Sequence, residues 1–113
     1  MTDVKPLDTA LAALDDCATT LADLDARCCE PGRSPRMRAL AETLEAARIN
    51  TERMTVDART ADVALAELEE AGAQVGRLQV GCCAPDRLPL YADLLEGLTK
   101  AQLGINAELG RGH

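Results

Sequence analysis

The chain has 113 residues and a formal net charge of −7; it is 47% apolar, with no Trp or Phe and a single Tyr. One modest core in a single domain spanning 1–113 is expected, and the negative charge disfavours nucleic-acid phosphates and anionic lipid as partners. The interior must come from Leu, Ala, Val and Met, which suits closely packed helices better than sheets, where β-branched and aromatic residues are favoured.

No apolar run approaches the length of a membrane span, and the opening MTDVKPLDTA lacks the charged-then-apolar pattern of a signal segment. A cytoplasmic setting without membrane contact is therefore expected. Five cysteines in a reducing compartment point away from a disulfide framework and towards buried thiols, a metal site or redox chemistry.

In chain order, Leu7, Leu11, Leu14, Ala18 and Leu21 recur at spacings of three and four, which predicts a first helix with Asp8 placed to cap it. Cys17 falls one turn from Leu14 and Leu21, on the apolar side, and reads as a small core residue. RCCEPGRSP follows at 27–35, a pair of cysteines before a Pro-bounded turn. Ser34 and Pro35 form a cap and first-turn pair for a second helix. Its seam is Met37, Leu40, Leu44, Ala47, Thr51 and Met54.

From Arg36 to Ala71 there is neither Gly nor Pro, and the seam runs on through Ala58, Ala61, Leu65 and Leu68, so helices two and three read almost as one rod. The β-branched Thr51, Thr55, Val56 and Thr60 tip the reading towards a turn between about 51 and 61, with Asp62 capping a third helix. GCCAPDRLP at 81–89 repeats the cysteine turn, and Tyr91, Leu94, Leu98, Ala101 and Ile105 form the seam of a fourth helix. Gly97 and Gly104, seven apart, predict close approach of a neighbouring backbone. His113 lies in a GRGH tail expected to fray.

A shift of 54 residues superimposes DTALAALDDC at 8–17 on DVALAELEEA at 62–71. The same shift places Cys28, Cys29, Pro31, Arg33 and Pro35 on Cys82, Cys83, Pro85, Arg87 and Pro89. The chain thus reads as two helical-hairpin repeats, 8–61 and 62–113, neither of which covers its own apolar stripe. The expected fold class is all-α, an antiparallel four-helix arrangement. The alternative fuses helices two and three into a rod on the order of 70 Å long, paired with a second copy as a swapped antiparallel homodimer.

Either route gathers Cys28, Cys29, Cys82 and Cys83 near one another. Arg33 and Arg87 would favour thiolate over thiol, and four thiolates suit a thiophilic ion such as copper(I), zinc or a metalloid. Side-by-side cysteines chelate one tetrahedral centre awkwardly compared with Cys-x-x-Cys, so reversible thiol-disulfide chemistry competes with metal binding. The bland alternative is a ligand-free helical module whose cysteines only pack, with a second copy or another helical protein as its partner.

Arg27, Arg33, Arg36 and Arg38 form a basic cluster for which pairing with Asp15, Asp16, Asp23 and Asp25 is the ordinary outcome. An enzyme ranks last among the readings. No arginine stands six residues after Cys28 or Cys29 as a phosphatase loop requires, Cys-x-x-Cys is absent, and no histidine is placed to assist a nucleophile.

Overall fold

A computed structural model describes residues 5–27, 34–79 and 87–110. It contains α1 (Pro6–Ala26), α2 (Pro35–Arg53), α3 (Thr60–Gln79) and α4 (Leu88–Glu108), and no strand among the described residues. The helix starts follow from local chemistry. Pro6 opens α1, its fixed φ being prearranged for the first turn, and the preceding Lys5 is extended and makes no side-chain cap. Asp8 is therefore inside the first turn and is not the cap expected from the sequence; there its charge complements the positive end of the helix dipole. Asp62 has the equivalent place in α3, which begins two residues earlier at Thr60. Ser34 does cap α2, its Oγ accepting from the Met37 N–H at 3.3 Å, with Pro35 following. Beyond α4, Gly110 adopts φ +76°, a left-handed conformation that glycine tolerates at helix ends.

Helices α2 and α3 are separate. After Arg53 the chain makes a tight turn in which the Val56 and Asp57 N–H groups both donate to the Arg53 carbonyl, at 2.9 and 2.8 Å. Asp57 Oδ1 accepts from the Arg59 N–H at 3.0 Å, which closes an Asx-type turn. The Thr60 hydroxyl lies within hydrogen-bond distance of the carbonyls of Asp57 and Asn50, at 2.8 and 3.0 Å, and so ties the start of α3 to the end of α2. The protein's longest dimension is 41 Å, well short of the rod that fused helices would make.

Contacts between four pairs of helices define the topology. Asp15 meets Arg48 between α1 and α2. Asn50 donates to Glu67 at 2.8 Å and Arg36 to the Arg77 carbonyl at 3.4 Å between α2 and α3. The Tyr91 hydroxyl donates to the Leu78 carbonyl at 3.2 Å between α3 and α4. Gly97 faces Cys17, and Gly104 faces Pro6 and Ala10, between α4 and α1. Each neighbouring pair is antiparallel, so α1 runs parallel to α3 and α2 to α4.

The most intimate seams join α1 to α4 and α2 to α3. An alanine Cβ at Gly104 would stand 2.7 Å from the Pro6 carbonyl oxygen and 3.0 Å from the Ala10 Cβ, so only glycine allows the backbones this close. That approach also rotates the buried face of α1. Ala10, Ala13, Cys17 and Leu24 join Leu7, Leu14 and Leu21 in the core, while Leu11 is only partly buried and Ala18 is exposed, contrary to the stripe read from the sequence.

The expected seams of α2 and α4 are buried throughout. Burial recurs at the 54-residue offset: Leu14, Cys17, Leu21 and Leu24 are buried, and so are Leu68, Ala71, Val75 and Leu78. Each fully buried Leu contributes roughly 1.5–3 kcal/mol. Thr51, opposite Ile105 in that correspondence, is fully buried and satisfies its hydroxyl by donating to the Ala47 carbonyl at 2.6 Å.

Candidate functional site

Because α1 and α3 run parallel, Arg27 at the close of α1 and Gln79 at the close of α3 lie at the same end of the bundle. Ser34 and Arg87, which precede α2 and α4, lie there too. Cys28, Cys29, Arg33, Cys82 and Cys83, the residues singled out from the sequence as thiolate ligands and their support, fall outside the described residues, as do Pro31, Pro85 and His113. Arg87 is described and partly buried at the start of α4. Among the described residues no group of three His, Cys, Asp or Glu side chains is arranged to hold a metal ion.

The electrostatics of this end differ from those of the molecule as a whole. Arg27, Arg36, Arg38, Arg77 and Arg87 stand in the terminal turns of the four helices or beside them. Two N-termini and two C-termini meet here, so the helix dipoles offset one another and side chains set the sign. Arg27 pairs with Asp23 at 3.1 Å and Arg77 with Glu70 at 2.8 Å, both largely exposed. The expected pairing of the first arginine cluster with nearby aspartates thus holds for Asp23. Asp15 instead binds Arg48 of α2, at 2.7 Å, and that hydrogen bond holds its carboxyl below the usual range while raising the guanidinium.

Cys17 is where the sequence placed it, in the core. It is 1% exposed, and its thiol donates towards the Leu94 carbonyl at 3.7 Å. Burial, helped by the neighbouring Asp16 charge, pushes this thiol up to about 11. At neutral pH it stays protonated, and a protonated buried thiol is a poor nucleophile and a poor ligand.

One cavity went unread in the sequence. Between α1 and α2 a half-open apolar groove of about 300 Å³ is floored by Leu14, Leu21, Met37 and Leu44. Its signal was a departure from the 54-residue correspondence: Ala41 on α2 and Ser34 at its cap correspond to Leu95 and Leu88 on α4.

No helix of the described residues is long and apolar enough to cross a membrane. No family model, curated protein or solved structure matches the chain.

Proposed function

We propose that this small four-helix protein presents Cys28, Cys29, Cys82 and Cys83 as a thiol site for a soft metal ion or for redox sensing in the cytoplasm. The observation that supports the reading is the parallel course of α1 and α3. Arg27 immediately precedes Cys28 and Gln79 stands three residues before Cys82, and both belong to one end of the bundle. The arginines gathered at that end favour thiolate over thiol, the form that binds metal and exchanges disulfides. Arg33 and Arg87, each five residues beyond the first cysteine of its pair, are the supporting cations. Copper(I), zinc or a metalloid fits an all-sulfur donor set.

Native mass spectrometry of anaerobically purified protein, loaded with copper(I) or zinc and then chelated or oxidised, tests this. One ion per four thiols, or an intramolecular disulfide between the pairs, is expected. The Cys28→Ser, Cys29→Ser double variant should lose it. Unchanged ion content and unchanged oxidation in that variant would reject the site.

A second reading, a helical interaction module joining a second copy or another helical protein, has its own observation. Leu88, Leu95 and Leu103 on α4 are 52%, 37% and 62% exposed. It predicts a dimer whose mass survives reduction and chelation.

A further inference from the structure

We infer that the outer flank shared by α3 and α4 is where a second copy of this chain docks, related to the first by a twofold axis. The inference rests on the reading of the chain as an interaction module, naming its surface and its partner, and leaves the thiol reading untouched.

The 54-residue correspondence makes α1–α2 and α3–α4 equivalent antiparallel hairpins, so their outer flanks can be compared residue by residue. The flank of α1–α2 carries four charged residues, Asp25, Arg38, Glu45 and Arg48. Their equivalents on the flank of α3–α4 are Gln79, Ala92, Thr99 and Gln102, none of them charged. In the same comparison Ser34 and Ala41 become Leu88 and Leu95, and Ala18 and Ala22 become Gly72 and Gly76. One flank of the molecule has lost its charges and gained both leucines and glycines.

The glycines make a hollow. At about 100° per residue Gly72 and Gly76 stand together on α3, on the side away from Glu67, which is bonded to Asn50 of α2. A Cβ added at either would meet nothing within 4 Å, so packing within one chain does not require glycine there, although each costs the helix about 1 kcal/mol. Helix α4 lies on that side, tied to α3 through Tyr91 and the Leu78 carbonyl, and raises a ridge of exposed leucines, Leu88, Leu95 and Leu103.

Two properties select a second copy. Chains of net charge −7 repel one another, so two copies meet best through a face without charge, and the cores of interfaces are depleted of charged residues. A ridge beside a hollow is also self-complementary under a twofold axis, which sets the leucines of each copy over the glycines of the other. Helices of 20 and 21 residues side by side offer a face of roughly 30 by 20 Å, the scale of the about 800 Å² per partner that a stable interface buries. Its border is polar, with Glu69 on α3 and the Glu96–Lys100 pair on α4.

Sedimentation velocity of the full chain in reductant, across micromolar concentrations, tests the inference. The unaltered protein should sediment as two copies. Leu95→Glu should weaken the dimer by more than about a hundredfold, because the twofold axis places the added charge in the interface twice. Gly72→Ala combined with Gly76→Ala crowds nothing within one chain and should weaken the dimer by about tenfold, while thermal unfolding of the dissociated chain shows the bundle intact. Ala41→Glu, the same change at the equivalent place on α2, should leave the dimer as it is. An unaltered protein that sediments as one copy would overturn the inference and self-association together. A dimer that survives both Leu95→Glu and the paired glycine substitutions would overturn the inference alone, since the copies would then meet elsewhere and the interaction reading would stand.

Discussion

An alanine Cβ built on Gly97 would lie 2.5 Å from the Cys17 Sγ, so the thiol occupies the space that the missing side chain leaves. The two residues are a packing pair across the α1–α4 seam. Gly97→Ala should destabilise the protein by about 1–2 kcal/mol, overpacking outweighing the gain in helix propensity. In a Cys17→Ala background the clash is gone and only the Ala13 carbonyl remains, at an ordinary 3.5 Å. There Gly97→Ala should be neutral or stabilising, and a denaturant double-mutant cycle should return a coupling of about 1–3 kcal/mol.

Gly104 has no such remedy. Its would-be Cβ meets the backbone of Pro6 and Ala10, which cannot rotate away. Gly104→Ala is expected to cost about 2–3 kcal/mol, and no single side-chain truncation on α1 should restore it. Urea midpoints for Gly104→Ala with and without Ala10→Gly would check this.

Gly72 and Gly76 on α3 predict the opposite sign. An added Cβ at either meets nothing within 4 Å, and both lie inside a helix. Replacing each with Ala should raise stability by about 0.5–1 kcal/mol by restricting the unfolded chain. Chemical denaturation of the single variants measures the gain.

Cys17 makes stability fall at alkaline pH. Its folded pKa of about 11 lies above the ordinary value of 9.0, so ionisation is easier in the unfolded chain. Its contribution is full below pH 9 and is lost as pH rises through 11. Cys17→Ala removes this loss, and the two proteins' unfolding midpoints, compared from pH 8 to 11, should converge as pH rises.

Tyr91→Phe removes the hydroxyl that donates to the Leu78 carbonyl at the close of α3. That carbonyl is among the last of its helix and lacks an intrahelical donor, so the loss should be about 0.5–1.5 kcal/mol. Amide hydrogen exchange should speed up in the last turn of α3 ahead of the rest of the bundle.

The seams of α2 and α4 were legible because each keeps a strict heptad spacing and faces one direction. α1 was read a notch off. Ala10 and Ala13 are too small to announce a core position, and they are buried only because Gly97 and Gly104 bring α4 onto them. The turn at 54–59 was legible from the correspondence of Asp8 with Asp62 and from a weakness in helix propensity, but not from its hydrogen bonds, whose side-chain members Asp57 and Thr60 are equally at home in a helix start. The paired cysteines stood out as motifs. The groove did not, because it consists of small side chains, and an alanine on a helix looks the same whether a neighbour covers it or leaves it open.

Sequence alone determined four amphipathic helices, because apolar periodicity and capping chemistry act within a few residues of chain. Which faces close tightly and which stay parted was decided only in three dimensions. The reason is that lateral packing depends on the match between residues far apart in the chain, where Gly104 against Pro6 draws two helices together and Ala41 across from Ala18 leaves a gap.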